Sequence, residues 1–593
     1  MSTYFTFSQF IKVEQMAKKP KHNPIPWDFL DEFRGEGKLF NAEWPTLKEL
    51  FDITTTRYPD NKAFEAFAPK HVSFTYAEAQ KVIKGVAAKL YELGVRHGDK
   101  VGLTGKNSPE WAMAYFAIAY AGAVIVPVDY SLSGEVITNL MGFADTKVLF
   151  ADHEKIDQIA LDIPKIALEG EDENSIYRMQ SSEEYPIEYP TSKEMAAIMF
   201  TSGTTGTPKG VMLSHENYVS DCYRAQGLMN IYPDDVFYAL LPIHHAYTML
   251  AVFIESVSVG ANLIFGKKLV VKQIFKDLAE GGVTMFLGVP MLFNKVIAGI
   301  IKGLREKGPI VYGLIRGMMG ISGFFKKHFN WKGGKRLFRF ILKKVSLDKI
   351  RICISGGGPL PASTFKLYNQ LGIDFVQGYG LTETTPILNL NPVFDYIETS
   401  VGKTLPGVEE KIVDPDSEGN GLIYARGSMI MMGYYKNPEA TAEIITEDGW
   451  INTGDIGHLD SRNYLYLTGR QKNVIVTEGG KNVFPEEIED SFQLYDDIDQ
   501  ICVRSYVADE AKKIEGIMAI VHPSDACAEK YKDDMTGLLD HIGSIITEVN
   551  ATFPSYKKIR KLAIYKEKFP LSSSSKIQRF KIGAIDESLT KMI

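Results

Sequence analysis

Cysteine is scarce in this chain, and its placement argues against two classes of protein at once. Cys222, Cys353, Cys502 and Cys527 are the only four in 593 residues, with no C-x-x-C pair and no metal-ligand spacing. Neither a disulfide-stapled fold nor a cysteine metal site is expected, and free thiols suit a reducing, cytoplasmic setting. A positive surplus is missing too: the formal net charge of −7 gives no global case for nucleic-acid binding. The first residues, Met1-Ser-Thr-Tyr-Phe-Thr-Phe-Ser8, lack a basic segment followed by a long apolar run, so no signal peptide is expected. Long apolar runs are few. Residues 111–128 form eighteen uncharged positions, close to membrane-spanning length, but Ala, Gly and Tyr dilute them. They end in Ala123-Val-Ile-Val-Pro-Val-Asp129, so a helix followed by a buried strand is expected. A G-x-S-x-G nucleophile elbow and internal repeats are also missing.

Hydrophobic residues make up 45% and charged residues 23%, the balance of a globular protein long enough for several domains. Residues 1–45 contain basic Lys18-Lys-Pro-Lys-His22 and apolar Pro26-Trp-Asp-Phe-Leu30, an arm expected to pack on the body. From Thr46 onward, helical patterns alternate with short apolar strands: helix over 76–93, strand over 100–103, helix over 109–121, strand over 124–128. That alternation predicts layered α/β architecture with largely parallel sheets. Residues 169–190 are acidic and irregular, the pattern of a surface loop.

The most informative stretch is Ile198-Met-Phe-Thr-Ser-Gly-Thr-Thr-Gly-Thr-Pro-Lys-Gly-Val-Met-Leu-Ser-His215. An apolar strand runs into seven residues drawn only from Thr, Ser and Gly. Their hydroxyls and backbone N–H groups can wrap closely around an anion, and Lys209 adds a flexible positive charge. The pattern is neither G-x-x-x-x-G-K-[ST] nor G-x-G-x-x-G. Residues 201–210 instead resemble the phosphate-binding signature of the adenylate-forming superfamily, which includes acyl-CoA synthetases, luciferases and peptide-synthetase adenylation domains.

Further motifs of that superfamily follow in order, and the resemblance implies a role for each. Thr201, Ser202, Gly203, Thr204, Thr205, Gly206 and Lys209 would surround the phosphates of ATP. Leu240-Leu-Pro-Ile-His-His-Ala-Tyr247 would set His245 at the carboxylate end of an acid pocket. Ile352-Cys-Ile-Ser-Gly-Gly-Gly-Pro-Leu360 and Asp374-Phe-Val-Gln-Gly-Tyr-Gly-Leu-Thr-Glu-Thr-Thr-Pro386 are each a strand running into a glycine turn, where open α/β sheets bind ligands. Gly356, Gly357, Gly358 and Tyr379 would hold the adenine, with Gly378 and Gly380 in the same ATP site and Thr382 at the α-phosphate. Glu383 would ligate Mg²⁺, which commonly takes few protein carboxylates beside substrate phosphates. Asp455 of Thr-Gly-Asp would accept hydrogen bonds from two ribose hydroxyls, with Arg470 as its companion.

After Arg470 the chain becomes a smaller, mixed segment. By resemblance Lys472 is a hinge, and Gly479 and Gly480 line the pantetheine tunnel for CoA. Lys576, in Phe569-Pro-Leu-Ser-Ser-Ser-Ser-Lys-Ile-Gln-Arg579, is the catalytic lysine. Two stretches depart from the family pattern: Asn473 follows the hinge where an acid is frequent, and Ser572 to Ser575 replace a more varied loop.

The implied fold is α/β: a large N-terminal domain of layered α/β subdomains over 1–470, and a small mobile α+β C-terminal domain over 471–593. The implied activity is an AMP-forming ligase that joins a long-chain fatty acid to CoA, with ATP and CoA as co-substrates and Mg²⁺ as cofactor. Alternatives are transfer to acyl carrier protein, a medium-chain or aromatic acid, or a non-catalytic membrane-peripheral relative. Between Glu306 and Asp348 there is no acid, while 326–344 carries eight Lys/Arg interleaved with Phe329, Trp331, Phe338 and Phe340. Such a segment suits either a solvated cationic face or an anionic surface. An insertion here resembles that of long-chain fatty acyl-CoA synthetases, so contact with the inner face of a membrane through 311–344 is expected, and no nucleic acid.

Overall fold

A computed structural model describes residues 26–201, 208–266, 271–358, 360–476, 481–493, 495–509, 514–571 and 577–593. The uncharged 111–128 stretch is a core element. Ser108 caps the helix Pro109–Tyr120, accepting from Trp111 N–H at 3.1 Å, and Pro109 sits where a missing N–H does no harm. Trp111 to Tyr120 are all buried, and the strand Val124–Pro127 that follows is buried throughout. Such a helix is apolar on every side because protein surrounds it. The helix Tyr76–Glu92 begins with a capping box between Thr75 and Glu78 and presents an apolar stripe to the same core.

Among the described residues the N-terminal domain contains two sheets. The first orders its strands as Gly433–Tyr434, Lys209–Ser214, Met195–Thr201, Val124–Pro127, Lys100–Thr104, Thr146–Ala151 and Lys165–Ala167. The second has thirteen strands and changes character halfway. From Lys62–Ala66 through Asn262–Phe265, Val236–Ala239, Met285–Gly288 and Ile352–Ser355 to Asp374–Tyr379 the neighbours run parallel. Beyond Tyr379 the pairing is antiparallel, through Asn389–Leu390 and Gly402–Thr404 to the long hairpin Ile451–Leu459 and Tyr464–Arg470. The switch between the two halves falls at the second glycine turn. The described part of the N-terminal arm packs on the body: Trp27 lies 5.7 Å from Trp44, and Phe29 meets Tyr223 edge-on at 5.8 Å.

The helix Pro309–Phe329 and the residues after it show that part of the basic 326–344 stretch is turned inward. Lys326 is buried, 2.9 Å from Asp374 Oδ1, and donates to the Ile373 carbonyl at 2.6 Å. Lys332 also pairs with Asp374, and Lys327 pairs with Glu398. Lys326 and Lys332 tie this segment to the sheet at Asp374, because a buried carboxylate is costly unless cations meet it, while Lys327 adds a link to the Glu398 segment. No helix among the described residues is long and apolar enough to cross a membrane. All four cysteines are buried thiols.

The small C-terminal domain is α+β. Ile498–Asp509, Ile514–Pro523, Lys561–Ile564 and Thr590–Met592 form a four-stranded sheet. The helix Met535–Asn550 buries Leu538, Ile542, Ile546 and Val549 in a cluster with Ile501, Ile517 and Leu562. Asp490 closes the short helix Pro485–Asp490 beside Glu486, Glu487 and Glu489. Burial first, then these carboxylates, push its carboxyl up to about 7. An acid held above its unfolded value contributes full stability below about pH 4 and loses it as pH rises towards 7. Asp490→Asn is therefore expected to raise stability at pH 7.5 by about 1–2 kcal/mol and to flatten that decline. Urea titrations at pH 4.5 and 7.5 check this; a variant with an unchanged pH slope would refute it.

Candidate active site

The hairpin Met195–Thr201 and Lys209–Ser214 closes with Thr201 opposite Lys209. The loop between them, with Ser202, Gly203, Thr204, Thr205 and Gly206, lies outside the described residues. The strand Gly433–Tyr434 pairs along Lys209–Ser214, with Tyr434 opposite Val211. This register places the Lys209 ammonium 4.7 Å from the centre of the Tyr434 ring. The same tyrosine donates its hydroxyl to Glu383 Oε1 at 2.9 Å, and Met431 N–H donates to the Glu383 carbonyl at 3.0 Å. One residue thus links the cation expected at the phosphates with the carboxylate expected at Mg²⁺.

Tyr434 was not singled out from sequence. Nothing local marks it, since its importance arises from strand pairing across more than two hundred residues. Tyr434→Phe removes the hydrogen bond and keeps the ring under Lys209. It is expected to lower ATP–pyrophosphate exchange about tenfold, and Tyr434→Leu further, as the cation then loses its aromatic face. Exchange unchanged in the phenylalanine variant would remove Tyr434 from the site.

The two glycine turns emerge side by side because Ile352–Ser355 and Asp374–Tyr379 are adjacent parallel strands, Ser355 level with Gln377. A Cβ on Gly356 would lie 2.8 Å from the Tyr247 ring, whose hydroxyl donates to the Ile354 carbonyl at 2.9 Å. Gly357 has φ +80°, a left-handed conformation suited to glycine, and Gly358 completes the turn near Pro290. A Cβ on Gly380 would fall 1.5 Å from the Pro386 carbonyl oxygen, so no side chain fits there; Gly378 is packed against Asn389.

Beside these turns stands a compact polar network. Asp455 and Arg470 are cross-strand partners, with Arg470 Nε 2.9 Å from Asp455 Oδ1. Tyr379 donates its hydroxyl to the other oxygen, Oδ2, at 2.7 Å. Asp455 holds the guanidinium above its ordinary range, while burial and then Asp455 push the Tyr379 phenol well up. Both groups hence keep their protons and orient the carboxylate, which can exchange these donors for sugar hydroxyls.

Thr382 and Glu383 occupy the turn Thr382–Thr384. Asp221, on the helix His215–Gln226 that follows the strand Lys209–Ser214, accepts from Ile387 N–H at 2.9 Å. Burial raises the Asp221 carboxyl well above its usual range. Asp221, like Tyr434, is a positioning residue whose role needs the fold to be seen. Glu383 fits Mg²⁺ in donor type: a hard carboxylate whose orientation Tyr434 holds.

His245 precedes the short helix Ala246–Thr248, its ring 4.2 Å from that of His244. His244 Nε2 lies 3.6 Å from Asp129 Oδ1. Burial opposes ionisation of Asp129, but the His244 imidazole and the Ser131 hydrogen bonds overcome it and hold this carboxyl well below its usual range. Tyr247 ties this segment to the Gly356 turn. Lys472 lies in the turn Gln471–Asn473, where Asn473 donates to Glu486 at 2.5 Å. Gly479, Gly480 and Lys576 lie outside the described residues.

The profile of AMP-binding enzymes matches residues 51–435. The chain is 28% identical over 545 residues to the long-chain-fatty-acid–CoA ligase FadD15 of Mycobacterium tuberculosis, covering 86% of this chain and 87% of that protein. It is 26% identical over 556 residues to the chloroplastic long-chain-fatty-acid–[acyl-carrier-protein] ligase AEE15 of Arabidopsis thaliana, covering 79% and 76%. Among solved structures, ATP-bound MatB from Rhodopseudomonas palustris aligns with a TM-score of 0.70 and 25% identity, over 90% of this chain and 98% of that one. With the profile spanning well over half its length, the chain belongs to the AMP-binding enzyme family.

Proposed function

We propose that this protein activates a long-chain fatty acid with ATP and transfers the acyl group to CoA, working at a membrane surface. The observation that carries the reading is the convergence of two polar sets at the glycine turns. Tyr379, Asp455 and Arg470 suit a nucleoside, and Lys209, Tyr434 and Glu383 suit a triphosphate. In the first step a carboxylate oxygen attacks the α-phosphorus, the bond to the β-phosphate oxygen breaks, and pyrophosphate leaves. Lys209 neutralises charge gathering on the departing phosphates, and Lys576 bridges the acid and the α-phosphate. Mg²⁺ held by Glu383 would supply Lewis-acid stabilisation of the phosphate oxygens. In the second step the CoA thiolate sulfur attacks the acyl carbon, and the carbon–oxygen bond to AMP breaks. No protein nucleophile is required.

The C-terminal domain, 471–593, would turn about Lys472 between these steps, withdrawing Lys576 and presenting Gly479 and Gly480 to pantetheine. The names of the relatives support both the long-chain acid and a thiol acceptor, with CoA preferred and acyl carrier protein as the second candidate. ATP–pyrophosphate exchange against acids from acetate through palmitate to coumarate, without CoA, tests the first step and the acid together. Exchange with long-chain acids is the expected result; exchange confined to short or aromatic acids overturns the substrate reading. Comparing CoA with acyl carrier protein as acceptor then decides the second step.

A further inference from the structure

The helix Pro309–Phe329 is apolar on two opposite sides, and the described residues cover only one of them. Ile315, Met319 and Ser322 are buried against the body, with Lys326 anchored to Asp374. On the outward side Ile310 is 86% exposed, Leu314 65%, Ile321 61% and Phe324 55%. Those positions recur at helical spacing, so they form one stripe along a helix about 31 Å long. A helix lying against water normally carries polar residues on that face. Gly313, Gly317 and Gly320 lie on the exposed side too, and a Cβ on any of them would meet nothing within 4 Å. No neighbour among the described residues uses those missing side chains, so the large apolar groups stand clear of the described surface.

Charge identifies what covers this stripe. No acid occurs between Glu306 and Asp348. With Lys326, Lys327 and Lys332 committed to internal carboxylates, the exposed bases around the helix include Lys302, Arg305 and Lys307 before it and Arg336, Lys343 and Lys344 after it. Leu337 and Phe340, in the short helices Gly334–Leu337 and Arg339–Leu342, add exposed apolar groups of 36% and 56%. A protruding aliphatic and aromatic stripe flanked by cations is the pattern of a helix lying in the headgroup region of an anionic bilayer. An acidic protein would be met by the bases alone and gives no use to the stripe. The helix lies in the plane, since none of the described helices can span a bilayer.

We propose that the outward face of Pro309–Phe329 docks the enzyme on anionic membrane, with Ile310, Leu314, Ile321 and Phe324 inserted among the lipids. This rests on the long-chain reading only for its purpose, the capture of acid from the bilayer. The body side of the helix joins the core around Phe286, Cys353 and Phe375, on the strands that end in or next to the glycine turns. The docked face and the nucleotide network are thus built on one sheet.

The test uses the full chain with two kinds of vesicle, phosphatidylcholine alone and phosphatidylcholine with phosphatidylglycerol. The unmodified protein is expected to co-sediment with the anionic vesicles and far less with the neutral ones. A variant with Ile310→Ser, Leu314→Ser, Ile321→Ser and Phe324→Ser is expected to lose about tenfold or more in binding. Its activity with acid delivered on cyclodextrin stays unchanged, while activity with acid embedded in anionic vesicles falls. All four side chains are exposed, so cyclodextrin-supported activity also reports folding. Wild-type protein that ignores anionic vesicles, or a serine variant that binds like wild type, overturns the proposal. So does a result in which only Arg336→Gln, Lys343→Gln and Lys344→Gln matter and the change appears solely with acyl carrier protein as acceptor; the face then serves an acidic protein. Sedimentation needs no substrate, so vesicle binding without long-chain activity would refute the assigned reaction and leave the docking surface standing.

Discussion

Lys576→Ala is expected to lower ATP–pyrophosphate exchange by about 10²- to 10³-fold, because the first step drives an anionic carboxylate onto an anionic phosphate and needs a cation between them. Thioester formation from supplied acyl-AMP and CoA should stay within about threefold of wild type, since an acyl-AMP already has its leaving group. Measuring the half-reactions separately makes the outcome sharp. Equal loss in both would mean that Lys576 supports the domain instead of the adenylation step. The prediction depends on the register of one motif, Phe569 to Arg579, and is independent of the acid's chain length.

Arg579→Met is expected to damage both half-reactions together. A bridge pairs Leu571 with Ile577, and Ile475–Val476 pairs with Asn482–Val483. Arg579, two residues beyond Ile577, reaches the helix Pro485–Asp490 and the strand Ile498–Asp509: its guanidinium is 2.6 Å from Glu489 Oε2 and 3.5 Å from Glu486 Oε1, and donates to the Val503 carbonyl at 2.8 Å. Glu489 in turn accepts from Val503 N–H at 2.5 Å, and Glu486 accepts from Asn473 beside Lys472. One guanidinium therefore ties the segment after Ile577 to the helix Pro485–Asp490, whose Glu486 also holds Asn473. Without it Glu486, Glu489 and Asp490 crowd together uncompensated, and a loss of about 2 kcal/mol from the C-terminal domain follows. Arg579→Lys should restore part of the stability but not the forked contact. Chemical denaturation alongside the two half-reaction assays checks this; a folded methionine variant that loses only one of them would refute a shared strut.

Much of the fold was legible because its signals are local. The uncharged 111–128 stretch reads as helix then strand from its alanine-rich start and its Val-Ile-Val-Pro end, and the structure has Pro109–Tyr120 followed by Val124–Pro127. The strand-to-glycine-turn plan at 352 and 374 reads equally well, since only glycine fits the backbone approach at Gly380. Lys326 was not legible. Among its basic neighbours it looks like one more surface charge, and only the position of Asp374 on the adjoining sheet draws it inside.

The candidate site divides in the same way. The resemblance to the adenylate-forming superfamily, motif by motif in chain order, nominated Lys209, Glu383, Asp455 and Arg470. By itself the sequence determined the α/β class, the order of its motifs and the residue types available for phosphate, metal and sugar. Strand order and register decided which of those residues meet: Tyr434 with both Lys209 and Glu383, Tyr379 with Asp455, and Asp221 with Ile387. Periodicity, capping and turn preference act over a few residues, whereas contacts between distant segments are set by packing whole sheets against one another, and no local pattern carries that information.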